Sequence, residues 1–157
     1  MDTSRRLRVL VVDDHAAYRL ALAGVLRRAG DLELVGEAAS GEEALDRARE
    51  LAPDVVVLDV RMPGIGGIAA AARLRAQHPD VLVLLCSSYD LADLPVGVLE
   101  AGIVYAPKEE VGPGLLRRLW QQHRAEPAAA ALPEPRPAEN VPGDSAPLTP
   151  PAAPPPA

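Results

Sequence analysis

In this 157-residue chain, five residues that could handle a phosphoryl group fall where short apolar runs end. Asp13 and Asp14 follow the run LRVLVV, and Asp59 closes VVVLD. Ser87 follows a run over residues 81–85, and Lys108 lies just past another over 103–106. If those runs are neighbouring strands, all five residues converge on one crevice. Three carboxylates crowded together repel: at about 4 Å and an effective dielectric near ~20, each pair costs roughly 4 kcal/mol. A hard divalent cation relieves that repulsion, and magnesium accepts carboxylate and carbonyl oxygens while keeping several waters. A lysine supplies a compact positive charge for phosphoryl oxygen, and a serine hydroxyl can donate to another. The set suits a carboxylate that becomes phosphorylated. Fifteen of the 16 basic residues are arginine, so the chain places its single lysine at this spot.

The elements that must position these residues alternate. Leu7–Val12 reads as a strand and residues 15–29 as a helix, with Tyr18, Leu22, Val25 and Leu26 at inward spacing. Leu32–Ala38 is a second strand. Ser40 and Glu43 have capping-box spacing and open a helix with Ala44, Leu45, Ala48 and Leu51 on one face. Pro53 and Asp54 punctuate before Val55–Asp59, whose continuous apolar run fits a strand buried on both faces. Pro63, Gly64, Gly66 and Gly67 form a loop before an alanine-rich helix over 68–77. A fourth strand over 81–85 precedes a helix over 91–101 that Pro95 and Gly97 weaken. A fifth strand over 103–106 and a last helix over 111–124 complete the set, with Leu115, Leu116, Leu119 and Trp120 facing inward. Strict alternation of this kind implies an α/β fold: a parallel sheet with helices on both faces. Such sheets bind ligands at the carboxyl ends of their strands.

Composition sets the remaining bounds. Eleven of the 17 prolines fall in residues 125–157, whose only larger aliphatic side chains are Leu132, Val141 and Leu148. Ordering that stretch would cost far more chain entropy than three side chains return. The expected division is a folded unit over 1–124 and a disordered Pro/Ala-rich tail over 125–157, a solvating segment with extended polyproline geometry. The longest strongly apolar stretch, 81–86, is far short of a membrane span, and the first residues lack the pattern of a secretory signal. The lone cysteine, Cys86, excludes an internal disulfide and fits a reducing, cytoplasmic setting. A net charge of −6 does not suit a nucleic-acid binder. Residues 64–69 match the shape G-x-G-x-x-A, but they follow the third strand rather than the first and read as a loop. His15, beside Asp14, is assigned no role. His78 and His123 read as helix-end or surface residues, and Cys86 as the end of a buried strand.

The segments VLVVDDH (9–15), VVVLDVRMP (55–63), HPDVLVLLCSSYD (78–90) and YAPK (105–108) resemble the receiver domain of two-component response regulators. The resemblance implies the flavodoxin-like receiver fold, a five-stranded parallel sheet of order 2-1-3-4-5. It makes Asp59 the phosphoacceptor, charged from a phosphohistidine on a sensor histidine kinase or phosphotransfer protein. It makes Asp14 the direct magnesium ligand together with Asp59 and the backbone carbonyl of Arg61, with Asp13 acting through water. Ser87 and Lys108 would hold the phosphoryl group, and Tyr105 would be the switch aromatic that follows Ser87. Phosphorylation would then remodel the face formed by the helix over 91–101, the fifth strand and the last helix, where a downstream protein docks. Arg61 and Tyr89 occupy places that tune dephosphorylation, and their size implies slow hydrolysis.

The implied role is a stand-alone phosphorelay protein, not an enzyme, without membrane insertion. It resembles receivers that carry a helix-turn-helix domain, but none is expected here, nor direct DNA binding. The competing reading is a pseudo-receiver, the same fold used as a phosphorylation-independent binding module. A small-molecule phosphatase is disfavoured because Arg61 stands where haloacid-dehalogenase-type phosphatases carry an acidic proton donor.

Overall fold

The computed structural model describes residues 5–88 and 103–125. The helix expected over 91–101, Tyr89 and the tail after Ala125 lie outside the described residues. Five parallel strands form one sheet: β1 (Leu7–Val12), β2 (Leu32–Ala38), β3 (Val55–Asp59), β4 (Leu82–Ser87) and β5 (Val104–Pro107), in the order β2-β1-β3-β4-β5. Helices α1 (Ala16–Arg28), α2 (Gly41–Leu51), α3 (Gly66–Gln77) and α4 (Pro113–Ala125) cover it, with a short 3-10 turn at Lys108–Glu110. This is the flavodoxin-like receiver architecture expected.

Strand parity sorts the core into two layers. Val9, Val11, Val55, Val57, Leu84 and Cys86 face α1 and α4, where Leu22, Leu26 and Leu116 meet them. Leu10, Val12, Val56, Leu58, Val83 and Leu85 face α2 and α3, where Ala44, Ala48, Ala70, Ala71 and Leu74 meet them. The small side chains let α2 and α3 lie close to the sheet. Every residue of β3 and β4 is buried, because both strands are covered on both faces.

Several expectations shift in detail. The buried line of α1 runs through Tyr18, Leu22, Leu26 and Ala29. Val25 therefore falls at the helix's edge and is 43% exposed, not inward as expected. On α4 only Leu116 is fully buried; Leu115, Leu119 and Trp120 pack half-buried against the cluster, and Trp120 stacks on His123. The β4 strand runs two residues further than the apolar run because Cys86 and Ser87 continue its ladder with Ala106 and Pro107. Ser87 is thus the last residue of the strand. The Ser40 hydroxyl accepts from the Glu43 N–H, as a cap should. The Glu43 carboxylate, however, reaches the Ala39 N–H rather than that of Ser40.

At the amino end of the sheet Asp54 makes a knot. Its carboxylate accepts from the Arg5 guanidinium and the Arg8 N–H at 2.8 and 2.9 Å. Its own N–H donates to the Arg8 carbonyl, and its carbonyl accepts from the Leu82 N–H. One residue thereby ties β1, β3 and β4 at the end opposite the crevice.

Candidate functional site

The same parity that builds the core builds the site. Asp13 continues the Val9–Val11 alternation, Asp59 continues Val55–Val57, and Lys108 continues Val104–Ala106. All three positions lie one step beyond the layer facing α1 and α4. The Asp13 N–H continues the ladder to the Ala38 carbonyl, and the Val60 N–H bonds the Cys86 carbonyl, so both strand ends are fixed in place.

Asp13 is fully buried and Asp59 nearly so, 5% exposed at the side chain. Lys108 Nζ stands 2.6 Å from Asp13 Oδ2 and 3.6 Å from Asp59 Oδ2. The other oxygen of Asp13 accepts the His15 N–H at 2.8 Å and lies 3.0 Å from His15 Nδ1. Oxygen or nitrogen atoms of Asp13, Asp14, His15 and Asp59 all come within 4.8 Å of one another. Three carboxylates supply the hard oxygen donors that magnesium takes, so the residues fit the ion. Burial and the neighbouring Asp13 charge push the Asp59 carboxyl above the usual carboxylate range, against the opposing pull of Lys108 and the Arg61 N–H. Burial works against the charge of Lys108, but the Asp13 and Asp59 carboxylates overcome it and hold the ammonium charged more firmly than usual.

Of the residues singled out from sequence, the fold brings Asp13, Asp14, Asp59 and Lys108 into one cluster. Ser87 is buried at the end of β4, one residue past Cys86, which pairs with Asp59. Tyr105 is half-buried on β5 and packs on the layer facing α2 and α3, opposite Leu85. Cys86 is fully buried, and burial and the nearby Asp59 push its thiol up to about 12, which leaves it protonated and inert.

Two residues of the site, Arg19 and Tyr18, escaped sequence reasoning, and a third, His15, was placed beside Asp14 without a role. His15 borders the carboxylates directly. The Arg19 guanidinium donates to the Asp13 carbonyl at 2.6 Å and to Glu37 at 3.0 Å, clamping α1 to the β1 loop. Tyr18 lays its ring against Lys108. Tyr18 and Arg19 fall about one helical turn after the acidic pair, a spacing that also fits ordinary core and surface positions, while His15 follows the pair directly.

The loop after β3 is held by close packing. Gly64 has φ +79°, and a Cβ there would meet the Glu42 carboxylate, which accepts the Ile65 N–H. Gly67 donates its N–H to the Val60 carbonyl at 3.0 Å. A Cβ on Gly67 would overlap the Asp59 carbonyl oxygen and stand 2.8 Å from the Val60 Cα. Both obstacles are backbone and cannot turn aside. Gly67→Ala is therefore expected to cost about 3 kcal/mol, read by urea denaturation; a loss below about 0.5 kcal/mol would show that α3 can slide away from β3.

Residues 9–117, more than half of the chain, match the response regulator receiver domain. The chain belongs to that family. The response regulator GacA of Pseudomonas viridiflava is 47% identical over 96 residues, covering 61% of this chain and 45% of the relative. A protein-glutamate methylesterase/protein-glutamine glutaminase of Geobacter metallireducens is 37% identical over 110 residues, covering 69% and 32%. Among solved structures, the receiver domain of NarL from Mycobacterium tuberculosis superposes with a TM-score of 0.68 at 30% identity, over 76% of this chain and 98% of that one. The response regulator domain of Thermotoga maritima CheB gives 0.61 at 31% identity, over 83% and 100%. The chain spans less than half the length of these curated relatives. No helix among the described residues is long and apolar enough to cross a membrane.

Proposed function

We propose that this receiver accepts a phosphoryl group on Asp59 from the phosphohistidine of a sensor kinase or phosphotransfer protein. A carboxylate oxygen of Asp59 attacks phosphorus, the phosphorus–nitrogen bond breaks, and the imidazole leaves with the electron pair. One observation carries the reading: Asp59 is a buried carboxylate with an ammonium 3.6 Å away and two further aspartates in the same cluster. Magnesium, when bound, would supply the counter-charge that lets phosphoryl oxygens approach three carboxylates. Asp14, Asp59 and the Arg61 carbonyl would hold it. Asp13 would act through water, which accords with its oxygens already engaged by His15 and Lys108. Lys108 and Ser87 would then hold the phosphoryl oxygens, and Tyr105 would follow Ser87. Arg61 and Tyr89 would slow hydrolysis. The output would pass by protein contact in the cytoplasm, through the face of β5 and α4.

Intact mass after incubation with a small acyl phosphate and magnesium tests this. One phosphoryl increment is expected, absent without magnesium and absent in Asp59→Asn. No increment, together with no melting shift on adding beryllofluoride, would refute phosphoacceptance and leave a binding module of the same fold.

A further inference from the structure

Lys108 reaches the site from the 3-10 turn after β5 on a four-carbon stem. Such a stem has wide rotamer freedom, so something must hold the ammonium over the carboxylates. Asp13 holds it on one side at 2.6 Å. The aromatic face of Tyr18 closes another, with Nζ 4.5 Å from the ring centroid. That separation lies within cation–π range, and the desolvated setting strengthens the attraction. Tyr18 is itself held firmly. It sits in the first turn of α1, its N–H bonds the His15 carbonyl, and the next residue, Arg19, ties the helix to the Asp13 carbonyl and Glu37. The Tyr18 hydroxyl is buried beside the Cys86 thiol and has no partner with sound hydrogen-bond geometry among the described residues. A buried hydroxyl without a partner costs stability, so the useful part of this side chain is its ring.

We infer that Tyr18 is a positioning residue: its ring face fixes the Lys108 ammonium at the point where it meets both Asp13 and Asp59. Its consequence for phosphoryl binding rests on the phosphoacceptor reading above; the placement of Lys108 does not.

The single lysine makes the test direct. Lysine labelled with 13C and 15N gives one side-chain Cε–Nζ signal set, assigned without ambiguity to Lys108. In wild type the ring face should shift the Lys108 Cε protons upfield. Tyr18→Phe should keep that shift and Tyr18→Leu should lose it, with Tyr18→Met in its place if the leucine variant does not fold. Beryllofluoride affinity with magnesium should fall about 3- to 30-fold in the leucine variant and recover in the phenylalanine variant. An unmoved lysine signal in the leucine variant would overturn the inference. So would a phenylalanine variant as impaired as the leucine one, or unchanged affinity despite a moved signal. A moved signal in a protein whose wild type binds no beryllofluoride would uphold the contact between the Tyr18 ring and the Lys108 ammonium and refute the phosphoacceptor reading instead.

Discussion

Lys108→Met is expected to destabilise the fold by about 3–5 kcal/mol at neutral pH in the absence of divalent cation. Methionine keeps the length and apolar character of the stem and removes only the charge. Asp13, fully buried, then loses its 2.6 Å partner, and Asp59 loses the ammonium 3.6 Å from it. Three carboxylates, those of Asp13, Asp14 and Asp59, remain in a cluster less than 5 Å across with no compensating charge from the lysine. Against a typical domain stability of about 5–15 kcal/mol, such a loss is large. It should shrink as pH falls, because the Asp59 carboxyl, already raised by burial and Asp13, takes up a proton more readily once Lys108 is gone. Urea titrations at neutral and mildly acidic pH check both statements. A cost below about 1 kcal/mol, or one independent of pH through the carboxylate range, would mean that the pair behaves like an exposed one.

Asp59→Asn should act in the opposite direction and raise the melting temperature in the absence of divalent cation. The Asp59 carboxyl titrates above its ordinary value in the folded protein, chiefly because it is buried and secondly because Asp13 is near. The folded state therefore binds this proton more tightly than the unfolded chain does. Stability falls as pH rises from the ordinary carboxylate value through the raised folded value, and the loss is complete above it. Asparagine has no charge to bury and escapes that loss. The gap between variant and wild type should be absent well below the carboxylate range and full at neutral pH. In a domain of this size each kcal/mol of relief corresponds to about 4 °C. Adding magnesium should narrow the gap, because only wild type has the full carboxylate set to neutralise. A variant that melts below wild type at neutral pH without cation would show that the Lys108 contact outweighs the burial of the charge.

The fold was legible because its signals were local and repeated. Val55–Asp59 is apolar at every position before its aspartate, and only a strand covered on both faces tolerates that. The converging site followed from strand ends alone, since Asp13, Asp14, Asp59, Ser87 and Lys108 each sit where an apolar run stops. What stayed hidden depended on contacts between elements. Val25 has the spacing of a core residue, yet the line through Leu22 and Leu26 leaves it at the rim. Tyr18 has the same spacing, and nothing in a helical repeat tells a ring packed on leucine from one packed on an ammonium. Gly67 reads as one more loop glycine. Its close approach to the Asp59 carbonyl exists only once α3 is laid on β3.

The Asp54 knot and the charge cluster lie at opposite ends of the same strands. Three strands are clamped together at the amino end by one carboxylate and its backbone. At the free end like charges press against each other around a single ammonium. The repulsion between the buried carboxylates is therefore one full strand length away from the contacts that tie the amino end. A change of charge at the site thus falls on the strand ends that Asp54 does not hold.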